Sequence, residues 1–322
     1  MKILITGASG CIGRSLVYTL MQQYVTEDNL LDIDIYATDI KENPFRHLKQ
    51  LCYQQFDICS ESFLQWVTEV DPAVIIHLAS VLQISKTLTR DKAYQIDVVA
   101  TEKLLATAAE IGTSKFVVTT SGAAYGYYPE NNLGEIQESR ATKGNPDYFY
   151  SAHKSEVEGI LTKFREVAPE LKQVVLRPGA IIGPDFEGPV VNLFQQKMIT
   201  GLVGYEGLFN FIWADDVVQY LIEAATSDIT GEFNVAGTGT LSLKQIAEKL
   251  DKPYLPLPPW LVKLALTVLK PLGITQYGPE QVKFIKYRPV LSNQKILKTF
   301  KHQPKYSTEQ ALSAYLNHLE NS

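Results

Sequence analysis

Along residues 1–180, short apolar runs alternate with longer stretches in which apolar residues return every three or four positions. The runs at 2–6, 33–38, 73–78, 116–120 and 173–176 predict strands, and the periodic stretches at 12–24, 62–70, 93–111 and 148–167 predict helices. Strands this uniformly apolar have no polar face to give to water. They belong in an α/β architecture, a doubly wound parallel sheet with helices on both sides. Such sheets bind ligands beyond the carboxyl ends of their strands, so chemistry is sought just after each run.

Past Arg177-Pro178 the alternation is lost and Gly179, Gly183, Pro184, Gly188 and Pro189 crowd together. Ser242 with Gln245 and Ser307 with Gln310 have the spacing of capping boxes and predict two later helix starts. The prolines between Pro253 and Pro259 predict an ordered connector rather than an element. These shifts divide the chain into a sheet domain at 1–180, with about 211–240 returning to it, and a smaller, mostly C-terminal substrate lobe at 181–322. The segment 258–270 is apolar over most of its circumference. With prolines at its entry and only Lys263 and Lys270 as bases, it is expected to pack in the lobe over the substrate cleft. A greasy lid for an apolar alcohol and a weak membrane contact are the alternatives.

Composition narrows the partners. Thirty basic residues against thirty-five acidic ones leave a net charge of −5, which argues against nucleic acid. Cys11, Cys52 and Cys59 cannot complete a disulfide framework, and with five scattered histidines they predict no metal site. The apolar stretch of Met1–Gly7 is too short for a signal peptide, and no run approaches the ~18 apolar residues of a membrane span. A cytoplasmic chain acting on a small molecule is the expectation.

The strongest local signal is Thr6-Gly7-Ala8-Ser9-Gly10-Cys11-Ile12-Gly13, placed between the first strand and the first helix. Gly7 permits a tight turn, Gly10 lets backbone approach a pyrophosphate, and Gly13 allows close helix–sheet packing. The helix start at Cys11-Ile12 then offers N–H groups to the anion. Asp39, ending the second strand, can accept hydrogen bonds from ribose hydroxyls and would repel a 2′-phosphate, which favours NAD over NADP. Arg14 and Lys41 lie close enough in sequence to soften that preference. Asp57-Ile58 could flank an adenine. Tyr150 and Lys154 stand four apart on one helix face, and Ser121 follows an apolar strand. A phenol near pH 10 becomes a useful base only beside a cation, and a serine hydroxyl can hold the reacting oxygen meanwhile.

With these motifs the chain resembles the extended short-chain dehydrogenase/reductase family, also called the NAD-dependent epimerase/dehydratase family. Further matches are His77-Leu78-Ala79-Ser80, Thr120-Ser121-Gly122-Ala123-Ala124-Tyr125-Gly126, Leu176-Arg177-Pro178-Gly179, Phe211-Ile212-Trp213-Ala214-Asp215-Asp216-Val217 and Phe233-Asn234-Val235-Ala236-Gly237. The resemblance implies a Rossmann-type domain, a bound nicotinamide dinucleotide, and a catalytic set carried by Ser121, Tyr150 and Lys154. It implies cofactor contacts at Gly7, Ser9, Gly10, Cys11, Ile12, Gly13, Asp39, Asp57, Ile58, Leu78, Ala79, Ser80, Pro178 and Gly179, shared with Tyr150 and Lys154. Related proteins often form homodimers through four helices, which here would be 93–111 and 148–167, where Ala106, Ala108, Ala109 and Ile160 are small or apolar.

Three departures bear on the reaction. Gly122-Ala123 stands where dehydratases of the family place an Asp-Glu pair, which disfavours 4,6-dehydration. Phe209 stands where nucleotide-sugar epimerases place a diphosphate-clamping arginine. Between Asp185 and Asp216 the acids Asp185, Glu187, Glu206, Asp215 and Asp216 face a single cation, Lys197, unless Arg288 contributes. Asp97 replaces a common asparagine and could pair with Lys154 or cap local structure. His77 is expected to be a satisfied core histidine, and His153 is not expected to act. Tyr125 either lines the cleft or packs its loop. The resulting expectation is an NAD-dependent oxidoreductase exchanging hydride with a secondary alcohol or ketone, sugar-like or apolar. The alternatives are a nucleotide-sugar epimerase and a non-catalytic dinucleotide sensor.

Overall fold

The computed structural model describes residues 1–24, 33–85, 87–184, 186, 188–273, 275 and 278–320. The sheet half runs β1 (Lys2–Thr6), α1 (Cys11–Tyr24), β2 (Asp34–Asp39), β3 (Cys52–Gln55), α2 (Glu61–Val70) and β4 (Val74–His77). It continues through α3 (Arg90–Tyr94), a π-helical turn at Gln95–Val99, α4 (Ala100–Glu110), β5 (Lys115–Thr119), α5 (Phe149–Val167) and β6 (Lys172–Pro178). Then come β7 (Ala180–Ile182), α6 (Pro189–Phe194), β8 (Ile199–Leu202), β9 (Phe211–Trp213), α7 (Ala214–Thr226) and β10 (Gly231–Val235). The chain closes with α8 (Leu243–Lys249), β11 (Tyr254–Leu257), α9 (Pro259–Leu269), α10 (Gln281–Lys286), α11 (Gln294–Thr299) and α12 (Thr308–Glu320).

Seven strands form one parallel sheet in the order β10-β6-β5-β4-β1-β2-β3. It is the expected Rossmann-type sheet, and its apolar runs work by alternation. Ile3 and Ile5 enter a core with Leu16, Val17 and Leu20 of α1 and Val217 and Leu221 of α7. Leu4, between them, enters a second core with Phe63 and Val67 of α2, Leu104 and Leu105 of α4, and Val157 and Leu161 of α5. Each face of the strand thus meets a helical layer, which is why no polar alternation marks it.

Differences from the sequence reading have local causes. Strand β3 carries no apolar run because it is the sheet edge, where Cys52, Gln54 and Gln55 are exposed. The helix expected at 93–111 is α3 and α4 joined by the π-turn that carries Asp97. Ala108, expected on an outer face, is wholly buried in the core. The proline-rich connector contains β11, which pairs only with β8 in a two-stranded sheet, where a proline costs few ladder bonds. Both expected capping boxes form. A third core, including Phe194, Phe209, Phe211, Leu243, Ile246 and Leu312, holds the lobe elements together. Helix α9 touches α10 through the half-buried side of Val262, Leu266 and Leu269 but has no fully buried residue, so its apolar surface is not packed away in the lobe as expected. Among the described residues no helix is long and apolar enough to cross a membrane.

Candidate active site

The strand order reverses between β1 and β4, and the glycine turn lies at that switch point. Gly7 adopts φ +69°, and a side chain there would stand 2.6 Å from the backbone N of Ala79, just beyond β4. At Gly13 a Cβ would lie 2.2 Å from the carbonyl oxygen of Gly7. The turn is therefore stripped of side chains where backbone must come close. Ser9 N–H donates to Asp39 Oδ2 at 3.0 Å and Lys41 N–H donates to Asp39 Oδ1 at 3.1 Å, which fixes the carboxylate beside the turn. Both oxygens keep lone pairs for ribose hydroxyls. The Tyr53 hydroxyl, from the edge strand, lies 3.2 Å from Ser9 Oγ and donates to the Lys41 carbonyl. Cys11 and Ile12 are half-buried at the start of α1, while Arg14 and Lys41 are exposed. This bare turn with an adjacent fixed carboxylate fits a dinucleotide.

The other expected cofactor residues stand at the same edge of the sheet. Asp57 is exposed and Ile58 buried, just after β3. Leu78, Ala79 and Ser80 follow β4, half-buried. Pro178 ends β6, and Gly179, whose N–H donates to the Val235 carbonyl, leaves only 3.2 Å between a hypothetical Cβ and Asn210.

Ser121 follows β5 and caps the short 3₁₀ turn Gly122–Tyr125 through Ala123 N–H. Ser151 Oγ donates to the Ala123 carbonyl at 2.6 Å, which ties α5 to that turn and sets Tyr150 beside Ser121. The Ser121 hydroxyl stands beside the Tyr150 phenol, near enough to act on its titration. Lys154 lies one turn on, buried, donating to the Thr119 carbonyl at 3.3 Å, with Nζ 5.7 Å from the Tyr150 ring centre. Burial raises the Tyr150 pKa well above an ordinary phenol, and the Ser121 hydroxyl beside it pulls it partway back. Burial lowers Lys154, while Asp97 and Glu158 act to keep it charged. The three expected catalytic residues thus form one cluster.

Behind the cluster the polar groups are satisfied in a chain. Asp97 accepts from Ser80 Oγ at 2.9 Å and Val81 N–H at 2.8 Å, and its Oδ2 meets His153 Nδ1 at 3.0 Å. It therefore ties the π-turn to both the β4 exit and α5, and acts on Lys154 through space. His153 was not expected to act, because its partner, Asp97, comes from the separate π-turn. Thr101 donates to the Asp97 carbonyl, which leaves its hydroxyl oxygen to accept from His77 Nε2, while Thr6 donates to His77 Nδ1. The ring is neutral with both nitrogens satisfied, and burial pushes its pKa down to about 3. Arg177 makes a two-pronged pair with Glu158, which also accepts from Thr120. Tyr125 is buried and bonds Asn234 and Arg177, so it packs its loop.

An aromatic wall beside Tyr150 had no signal in the sequence. Tyr148 packs on Tyr150 with ring centres 6.2 Å apart, and Phe284, brought over by α10, packs on Tyr127 and Tyr148 at 4.5 and 4.3 Å. Their spacing along the chain has no common period, so only the fold assembles them. Arg288 stands at the wall's edge, its guanidinium 3.9 Å from the Phe209 ring centre and its buried Nε without a hydrogen-bond partner among the described residues. A cation thus occupies the neighbourhood of the residue that replaces the clamping arginine. The acid tally changes too. Asp216 is spent on His302 and Lys305 N–H, and Asp215 accepts from the Trp213 indole. Asp185 and Glu187 lie outside the described residues.

A model of the NAD dependent epimerase/dehydratase family matches residues 3–236. The chain belongs to that family. UDP-glucose 4-epimerase of Caenorhabditis elegans is 30% identical over 299 residues, covering 78% of this chain and 83% of the relative. A mouse dTDP-D-glucose 4,6-dehydratase is 24% identical over 261 residues, covering 77% of this chain and 72% of its own length. The structure of Thermus thermophilus UDP-glucose 4-epimerase, in complex with NAD, superposes with a TM-score of 0.73 over the full length of both chains at 21% identity. Family membership makes this an NAD-dependent enzyme of the epimerase/dehydratase type, as the motifs implied.

Proposed function

We propose that this chain is a cytoplasmic oxidoreductase that exchanges hydride between NAD and a secondary alcohol or its ketone. The convergence of Ser121, Tyr150 and Lys154 beside an aromatic wall carries this reading. The Gly7–Gly13 turn with Ser9, Gly10, Cys11 and Ile12 would hold the pyrophosphate, and Asp39 the adenosine ribose. Asp57 and Ile58 would flank the adenine, while Leu78, Ala79, Ser80, Pro178, Gly179 and Lys154 would line the nicotinamide side. Bound there, NAD supplies a two-electron hydride acceptor and donor. Tyr150 takes the alcohol proton, or returns it to the ketone oxygen, while Ser121 hydrogen-bonds that oxygen. Lys154, shut off from water, stabilises the phenolate that forms in between. Gly122 and Ala123 carry no proton-shuttling group, so water elimination is not the reaction we assign. Tyr150→Phe is expected to lower turnover by about 10²–10⁴-fold with NAD affinity nearly unchanged in a binding titration. Near-normal turnover in that variant would overturn the assignment.

A nucleotide-sugar epimerase is the second reading, favoured by the unpartnered Arg288 Nε near Phe209 and by the epimerase relatives. Freshly purified protein, denatured and assayed for released dinucleotide, separates the two. Stoichiometric retained NAD favours an epimerase cycle, whereas an empty protein that takes up NAD reversibly favours the dehydrogenase. A homodimer would join the outer faces of α4 and α5 around a shallow cavity of about 380 Å³ that includes Tyr94, Val98, Ile160 and Lys163.

A further inference from the structure

Helix α9 has its apolar surface on the outside. Trp260 is 68% exposed, Leu264 55% and Val268 51%, and Leu261 and the following Leu272 are exposed as well. At about 100° per residue, Trp260, Leu261, Leu264 and Val268 share one arc of about 100°. The half-buried Val262, Leu266 and Leu269 point roughly the opposite way, toward the protein. The outward arc is therefore not the face by which the helix is attached, and a lid closing over the chain's own cleft would use the other side. Exposed apolar side chains gathered on one helix face mark a binding surface rather than the scattered exposure normal for a soluble protein.

Charge identifies the occupant. In a chain of net charge −5, residues 252–279 contain Lys252, Lys263 and Lys270 and no acid. Lys263 and Lys270 fall together along one flank of the outward arc. A second copy docking by two-fold symmetry would bring these lysines together. Asp251 and Glu280 bound that segment, and Glu280 pairs with Lys270 at 3.3 Å, which leaves Lys263 as the base the arc presents. An anionic bilayer surface answers both features. It takes the apolar arc into the acyl boundary, Trp260 at the headgroup level, and Lys263 against phosphate. At 11 residues α9 cannot span the membrane and would lie in its plane.

We propose that α9 docks the enzyme on an anionic membrane surface, an attachment separate from its hydride chemistry. The test is co-sedimentation of the full chain with phosphatidylcholine vesicles and with vesicles containing one quarter phosphatidylglycerol. Binding to the anionic vesicles at about 1 mM lipid is expected, weakening as salt rises. Lys263→Glu should weaken it by more than about tenfold, from roughly fivefold per unit of charge. Trp260→Ser with Leu264→Ser should abolish it, with the thermal unfolding midpoint unchanged because both side chains are exposed. The proposal fails if anionic vesicles are not bound, if neutral vesicles bind as well, or if the variants bind like the parent. It fails equally if the serine pair converts a dimer to a monomer, since the face would then belong to a second copy.

Discussion

Helices α4 and α9 are the same length, 11 residues each, and both carry leucines and alanines at helical spacing. Helix α4 buries Ala100, Thr101, Leu104, Leu105 and Ala108, whereas α9, the more apolar of the two, only half-buries Val262, Leu266 and Leu269. The difference lies in what precedes them. Helix α4 belongs to the crossover from β4 to β5, so parallel pairing obliges it to lie on the sheet. Helix α9 follows β11, one strand of a two-stranded pair that offers no broad face to cover. Apolar content states how much a segment gains from burial; topology decides whether anything is there to bury it.

Substitutions can break that contrast. The largest effect is expected on the sheet side at Glu158 of α5, where side-chain exposures of 6% for Arg177 and 3% for Glu158 describe a pair closed off from water. Glu158→Ala leaves the Arg177 charge buried and alone and should lower unfolding free energy by about 3–5 kcal/mol in denaturant titration. Leu104→Ala on α4 should cost about 2–5 kcal/mol by the same measurement, since the side chain is wholly buried.

Acid titration tests the polar contact between α4 and the sheet, where Thr101 accepts from His77. His77 has its pKa depressed from 6.5 to about 3, so the unfolded chain binds its proton first as pH falls. Its contribution to stability is complete above about pH 6.5 and is lost as pH falls toward 3, at a slope approaching about 1.4 kcal/mol per pH unit. A His77→Asn variant should lose that part of the acid slope. The smallest change belongs to α9: Leu264→Ala is expected to alter stability by no more than about 0.5 kcal/mol. A loss comparable to that of Leu104→Ala would show that the outward face is already covered in solution.

The sites divide along the same line. Gly7, Gly13, Asp39, Ser121, Tyr150 and Lys154 were legible in the sequence because each follows or opens an element whose apolar pattern is strong. A parallel sheet sends all such positions to one edge. The Asp97–His153 contact, the Tyr127–Tyr148–Phe284 wall and Arg288 over Phe209 were not legible as contacts. Their members come from separate elements with no shared period, and nothing local requires them to meet. Strand β3 escaped notice for a related reason, since an exposed edge strand has no need of an apolar run.

By itself the sequence determined the alternating strands and helices, the sheet they require, the bare glycine turn and the candidate serine–tyrosine–lysine cluster. Those follow from hydrophobic period and backbone sterics, which act over a few residues. Tertiary structure alone decided how the buried charges behind the site are paired, which rings wall it, and that the most apolar helix faces outward. Burial and pairing depend on what arrives from elsewhere in the chain, and the fold sets that arrival.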